Sequence, residues 1–189
     1  MFIFDIETSD TESTAVILSI SIVYIDPKET VTYQQLLDKT LFVKLDVSEQ
    51  VEKHERTVGQ ATIEWWAKQP KYIRDQSMKP SDKDVSCIDA LNLIRKYINK
   101  YSSREDIVWA RGSLDSLCIE SLTNVLGEEP LFPYYMWRDI RTAIDILYGS
   151  TNGYCDVKDF DRNSVPKHLP YHDVCLDAMM LLYGKSKDE

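Results

Sequence analysis

One change of period constrains the fold of this chain more than any other feature. The first 43 residues carry short apolar and β-branched runs, and from about residue 62 the apolar positions recur every three to four residues. Phe2, Ile3, Phe4 and Ile6 surround Asp5 in a first predicted strand over residues 1–6. Residues 15–25 predict a second strand and residues 30–43, in part, a third, with the turn signal Asp26-Pro27-Lys28 between them. Residues 62–69 then predict a short helix ended by Pro70. A long helix from Ser81 follows, with Val85, Ile88, Leu91, Ile94 or Arg95, and Ile98 along one face and a capping signal over Ser81 to Asp84.

The second half alternates. Residues 107–110 form a short buried strand, and Gly112-Ser113 turns into a helix with Leu114, Leu117, Leu122 and Leu126 as apolar positions, stopped by Gly127. A strand-like piece near 134–137 leads into a helix over 140–148. Residues 149–171 have no sustained period and read as a long loop, a kind that is more often functional than not. A final helix over 172–183 carries Val174, Ala178, Leu181 and Leu182. With no repeat, linker or low-complexity tract, residues 1–189 are expected to form one α/β domain, a mixed sheet with helices packed on it.

Composition narrows the class. A hydrophobic fraction of 43% and a charged fraction of 28% belong to a folded unit. The net charge of -9 argues against a basic surface that grips long duplexes by releasing counterions. It does not argue against a nucleic-acid enzyme, because a carboxylate site for divalent cations is itself acidic. Cys87, Cys118, Cys155 and Cys175 are widely spaced and predict reduced packing residues. The N-terminus lacks a basic region, and residues 15–25 are too short and too interrupted by Ser19, Ser21 and Tyr24 to cross a bilayer. A cytoplasmic protein without a membrane partner is the expectation.

The carboxylates carry the chemistry. Residues two apart on a strand share a face at a spacing of roughly 6.5 Å, so Asp5 and Glu7 can converge on one site. The bland alternative ends the strand at Phe4 and leaves both acids exposed at a turn. Asp115 stands at the end of a neighbouring strand or in the first turn of the next helix, where it could equally serve the helix dipole. His172 and Asp177 are five residues apart, a rotation of roughly 140° on a helix, so they flank a cleft rather than share a face. Asp173 competes as the companion on the face of Asp177. Four acids and a histidine make sense together for phosphodiester hydrolysis by two divalent ions about 3.5–4 Å apart. Hard oxygen ligands select Mg2+ or Mn2+, and a histidine can take a proton from water near neutral pH.

Three segments, Phe4-Asp5-Ile6-Glu7-Thr8, Val108-Trp109-Ala110-Arg111-Gly112-Ser113-Leu114-Asp115 and His172-Asp173-Val174-Cys175-Leu176-Asp177-Ala178, resemble the three motifs of the DEDDh 3′-5′ exonucleases in order and spacing. Within that superfamily the chain is similar to phage exodeoxyribonuclease A and the small mycobacterial-type exoribonucleases, which share a Thr-x-x-Trp-Trp-x-x-Gln segment, here residues 62–69. The resemblance implies a ribonuclease H-like fold, two metals on Asp5, Glu7, Asp115 and Asp177, His172 as general base, and a substrate with a free 3′ end. Leu114 departs from it where many relatives carry an aromatic residue.

Substrate contacts are expected from Thr8, from one of Trp65 and Trp66 by stacking on a base, and from Arg138 and Arg141 on phosphates. Lys167 and His168 lie in the loop before the last helix and are placed to touch the scissile strand. The expected substrate is single-stranded DNA, with RNA and a homodimer left open. Two rivals stand beside this reading. A non-catalytic binding module on the same fold would not need the five reactive residues, and a two-carboxylate glycosidase leaves Asp115, Asp177 and His172 unexplained.

Overall fold

A computed structural model describes residues 1–101 and 106–186. Its centre is a five-stranded sheet in the order β3-β2-β1-β4-β5, built from β1 (Phe2–Thr8), β2 (Ile17–Tyr24), β3 (Leu41–Lys44), β4 (Val108–Ala110) and β5 (Trp137–Asp139). The first three strands pair antiparallel, and β4 joins β1 in parallel with β5 beyond it. This is a mixed α/β sheet flanked by helices, consistent with a ribonuclease H-like fold.

Alternation along β1 divides the molecule. Phe2, Phe4 and Ile6 enter a core shared with α5 (Cys87–Tyr101) and α6 (Leu114–Val125). Ile3 enters the opposite core, covered by α1 (Tyr33–Lys39), α7 (Ile140–Tyr148) and α8 (Pro170–Tyr183). Asp5 and Glu7 share the parity of Ile3 and therefore face α8. Their register partners on β2, Ser21 and Ser19, are small and fully buried. A bulky residue at either position would push α8 off the acids.

Three expectations are corrected. Residues 33–39 are helical rather than extended, because the Thr32 hydroxyl accepts the Gln35 N–H while the Gln35 side chain accepts the Thr32 N–H, and only residues 41–44 pair as a strand. The long helix starts at Cys87 instead of Ser81. Ser81 and Asp84 close a separate turn, Val85 bridges to Leu45, and Ser86 and Asp89 make the cap. Its buried face is Cys87, Ala90, Leu91, Ile94 and Ile98, which leaves Ile88 on the exposed side. The 149–171 segment is not all loop: β6 (Asp156–Val157) pairs with β7 (Gly184–Lys185), a 3-10 turn spans Arg162–Ser164, and α8 begins at Pro170.

The chain between the third strand and the long helix adds α2 (Val47–His54), α3 (Gln60–Ala67) and α4 (Lys71–Ser77). Trp66 of α3 and Ile73 of α4 pack with Val16, Leu18 and Leu169 in a third apolar cluster. No helix among the described residues is long and apolar enough to cross a membrane. All four cysteines are buried and unpaired.

Candidate active site

The strand β1 does not stop at Phe4. It continues through Thr8, with a register shift between Glu7 and Thr8, so both acids stand on paired backbone and neither is a frayed end. Asp115 lies in the first turn of α6, whose approach needs Gly112 in the left-handed region (φ 85°), with its N–H donated to Asp139 at 2.9 Å. Asp173 and Asp177 are one turn apart on α8, which Pro170 starts in its first turn. These five acids, with Arg111, Arg141, Tyr154, Arg162, Lys167 and His168, line one cleft of about 220 Å³.

So many carboxylates in one buried space cannot all ionise cheaply without a cation. Burial, then Asp115, Asp173, Glu7 and Asp177, pushes the Asp5 carboxyl well up from its ordinary value. Burial with Asp173 and Asp115 does the same to Glu7. Burial is the first cause for the others too: Asp115 is pushed up to about 8 and Asp173 to about 7. Asp177 is also raised by burial, against the pull of Arg111. The Arg111 guanidinium forms an ion pair with Asp177, donates to the Gly153 carbonyl at 2.7 Å and lies over the Tyr154 ring.

The donor set fits a hard divalent cation. Ligand oxygens of Asp5, Glu7 and Asp173 lie within 4.8 Å of one another. Asp115 Oδ2 is sealed from solvent and has no hydrogen-bond partner, which leaves a lone pair directed into the protein with nothing to receive. Asp173, weighed in the sequence as the companion of Asp177, thus joins Asp5 and Glu7, while Asp177 engages Arg111.

The remaining expected residues divide. Arg141 lines the cleft. Thr8 is buried, donates its hydroxyl to the Asp10 carbonyl at 2.7 Å and lines a neighbouring groove with Glu7, Thr62 and Trp65. Trp66 is fully buried and donates its indole N–H to the Thr8 carbonyl at 2.9 Å, whereas Trp65 stays 38% exposed. Arg138 is not brought to the cleft. Its guanidinium donates to the carbonyls of Tyr135 and Trp137, and it faces a separate groove with Gly112, Trp137 and Asp139.

His172 is not among the cleft residues either. Its Nδ1 is hydrogen-bonded to the Tyr33 hydroxyl and its ring stacks on Tyr33. The histidine in the cleft wall is His168, with Nδ1 3.9 Å from Glu7 Oε1 and its ring against the edge of Trp65. Burial pushes both histidines down from the ordinary value.

Sequence reasoning missed Arg111, Tyr154 and Arg162 as cleft residues. Arg111 had a signal, since it sits between a strand end and the Gly112 turn. Tyr154 and Arg162 had none, because their segment shows no period. Together with Lys167 they form a cationic rim stacked about the Tyr154 ring, with charges 4.1, 5.4 and 5.8 Å from its centroid for Arg111, Arg162 and Lys167.

Two comparisons with known proteins meet this geometry. The family described as 3′-5′ exoribonuclease Rv2179c-like domain matches residues 1–179. The chain is also 30% identical to a protein of Enterobacteria phage T4 called "Exodeoxyribonuclease", over an alignment of 209 positions that covers 97% of this chain and 88% of that one.

Proposed function

Because the chain belongs to the 3′-5′ exoribonuclease Rv2179c-like family, we propose that its residues 1–189 act as one exonuclease domain that shortens single-stranded nucleic acid, DNA in preference to RNA. The coarse activity, a 3′-5′ exonuclease hydrolysing nucleic acid, follows from the family and from the phage relative. The preference for DNA leans on the name of that relative, which is matched over nearly its whole length. The observation that carries the reading is the convergence of Asp5, Glu7, Asp115 and Asp177, from three separate elements, on one buried cleft.

Asp5, Glu7, Asp115 and Asp177 would hold Mg2+ or Mn2+, two ions, with Asp173 as an added oxygen donor. The bound ions would supply Lewis-acid activation of water and charge neutralisation at the leaving oxygen. The chain's own groups do the rest. Arg141, Arg162 and Lys167 take phosphate oxygens along the rim, as charge-assisted hydrogen bonds favour, and Arg111 would join them on leaving Asp177 free to bind metal. Exposed Trp65, beside Glu7 and Thr8, offers a face on which any base can stack, worth roughly 1–3 kcal/mol.

His172 takes the proton from the attacking water. In the tautomer whose Nδ1–H donates to the Tyr33 oxygen, the ring is fixed and Nε2 is free to accept, and burial, which pushes the imidazole down, keeps it neutral near pH 7. A second reading, favoured by the 3.9 Å approach to Glu7, gives that proton to His168.

The test is to follow 5′-labelled single-stranded DNA and RNA oligonucleotides in magnesium, manganese or chelator. The expected result is a ladder shortening from the 3′ end, faster on DNA and absent in chelator. Failure to degrade either polymer in any metal would remove the reading.

A further inference from the structure

A second group of side chains with metal-ligand chemistry lies between α2 and the start of α5, away from the cleft. Glu49 and His54 come from α2 and Cys87 is the first residue of α5. One ligand atom from each, a carboxylate oxygen, an imidazole nitrogen and a thiol sulfur, lies within 4.8 Å of the other two. None of the three lines the catalytic cleft.

Part of this arrangement has an ordinary explanation. Glu49 Oε2 accepts the Cys87 backbone N–H at 2.8 Å, which satisfies an open donor at the start of α5. That leaves Oε1, which sits 3.7 Å from His54 Nε2, too far for a hydrogen bond. His54 Nε2 is sealed from solvent and has no hydrogen-bond partner at all. A buried ring nitrogen in that condition is rare, and helix capping does not account for it.

A cation between the two groups does. Zinc binds imidazole nitrogen and carboxylate oxygen at about 2.0–2.2 Å with tetrahedral angles, which separates such ligand atoms by roughly 3.4 Å. The observed 3.7 Å is within a side-chain adjustment of that spacing. We propose that Glu49, His54 and Cys87 form a zinc site that clips one side of α2 to the start of α5. A water molecule would complete the fourth position.

The chemistry of the donors separates this site from the catalytic one. A sulfur and an imidazole select zinc or cobalt, and magnesium passes them by. Burial, and then Glu49, push the Cys87 thiol up to about 12, so in the absence of metal it stays protonated. On binding, the Cys87 S–H bond gives its proton to solvent and its electron pair to the metal, with no redox change, as coordinated thiols do.

The experiment uses the full chain, stripped with chelator, exchanged into excess magnesium to fill the oxygen cluster, and titrated with Co2+ while absorbance is recorded. One equivalent of Co2+ is expected to raise a thiolate-to-cobalt charge-transfer band with tetrahedral d–d bands, and Zn2+ to abolish both. The band is expected to vanish in Cys87→Ser and in His54→Ala, while magnesium-dependent nuclease rates stay within about twofold of wild type because the two centres share no residue. Absence of the band from the wild-type protein, or its survival in either variant, overturns the site. Should Cys87→Ser fail to fold, the wild-type titration and His54→Ala decide the matter alone.

Discussion

Asp5 is the side chain on which the electrostatics of the cleft converge: it stands on the central strand, and four other acids each raise its proton affinity. Replacing it tests function and stability in opposite directions. In Asp5→Ala, nuclease turnover should fall by at least roughly 100-fold, the scale on which removing one preorganised electrostatic group slows a reaction. The metal-free variant should melt no lower than wild type, since a buried carboxyl that burial and its neighbours keep from ionising has been removed rather than a core contact. Retained turnover, or a melting point well below wild type, would contradict this account. The two histidines are separated the same way. His172→Ala should cost about 10²–10⁴-fold in kcat, the range for a lost general base, and His168→Ala distinctly less. The reverse order would give the role to the residue beside Glu7. Much of the site at this scale was legible, since i,i+2 and i,i+4 spacings placed Asp5, Glu7, Asp173 and Asp177 on shared faces. Spacing carries no information on where a side chain swings once helices pack. For that reason His172 against Tyr33, and Arg111 on Asp177, appear only in the folded chain.

At the level of elements, α1 shows how a two-residue signal overrides composition. Thr30, Val31 and Thr32 favour extended chain, yet the reciprocal Thr32–Gln35 hydrogen bonds start a helix that buries Leu36 and presents Tyr33 to α8. Thr32→Ala removes that cap and should destabilise the protein by about 1 kcal/mol, the usual worth of a side-chain N-cap. In a chain of this size that is a drop of roughly 2–4 °C in Tm, measurable by calorimetry. An unchanged Tm would mean that packing of Leu36 alone holds the helix. The same competition explains the start of α5. Ser81 to Asp84 and Ser86 to Asp89 offer equivalent local signals, and the pairing of Val85 with Leu45 decides between them. By contrast α6 and α7 were readable from apolar positions at helical spacing, and β1 and β4 from short apolar runs. The 149–171 segment gave no period to read. Its short strand pairs with residues that follow α8, a long-range contact that no local window contains.

For the whole molecule, the metal-free acid cluster should make stability depend on pH in a direction unusual for carboxylates. Unfolded Asp and Glu lose their protons near pH 4, whereas Asp173 and Asp115 in the folded chain hold theirs to about 7 and about 8. Between those limits the folded state binds more protons than the unfolded one, so stability falls as pH rises. Buried His168 and His172, whose pKa values are lowered, contribute the opposite slope, but only below roughly pH 6.5, the unfolded value. Asp139, lowered by hydrogen bonds from Thr142 and neighbouring N–H groups despite some burial, acts only near pH 4 and below. Up to about pH 7.5 the slope belongs to the cluster; toward pH 8.5 the four buried thiols, raised by burial, add a slope of the same sign, and the response to magnesium separates the acids from them. In chelator, Tm should decline across the window from about pH 6.5 to 8.5 by several degrees, at roughly 2–4 °C per kcal/mol. Magnesium should reverse the decline and raise Tm more at pH 8.5 than at 6.5, because protons compete with the cation for the same oxygens. A Tm in chelator that stays level or climbs across the window would show that the acids are already ionised without metal. The same gain from magnesium at both pH values would place the bound cation elsewhere on the protein.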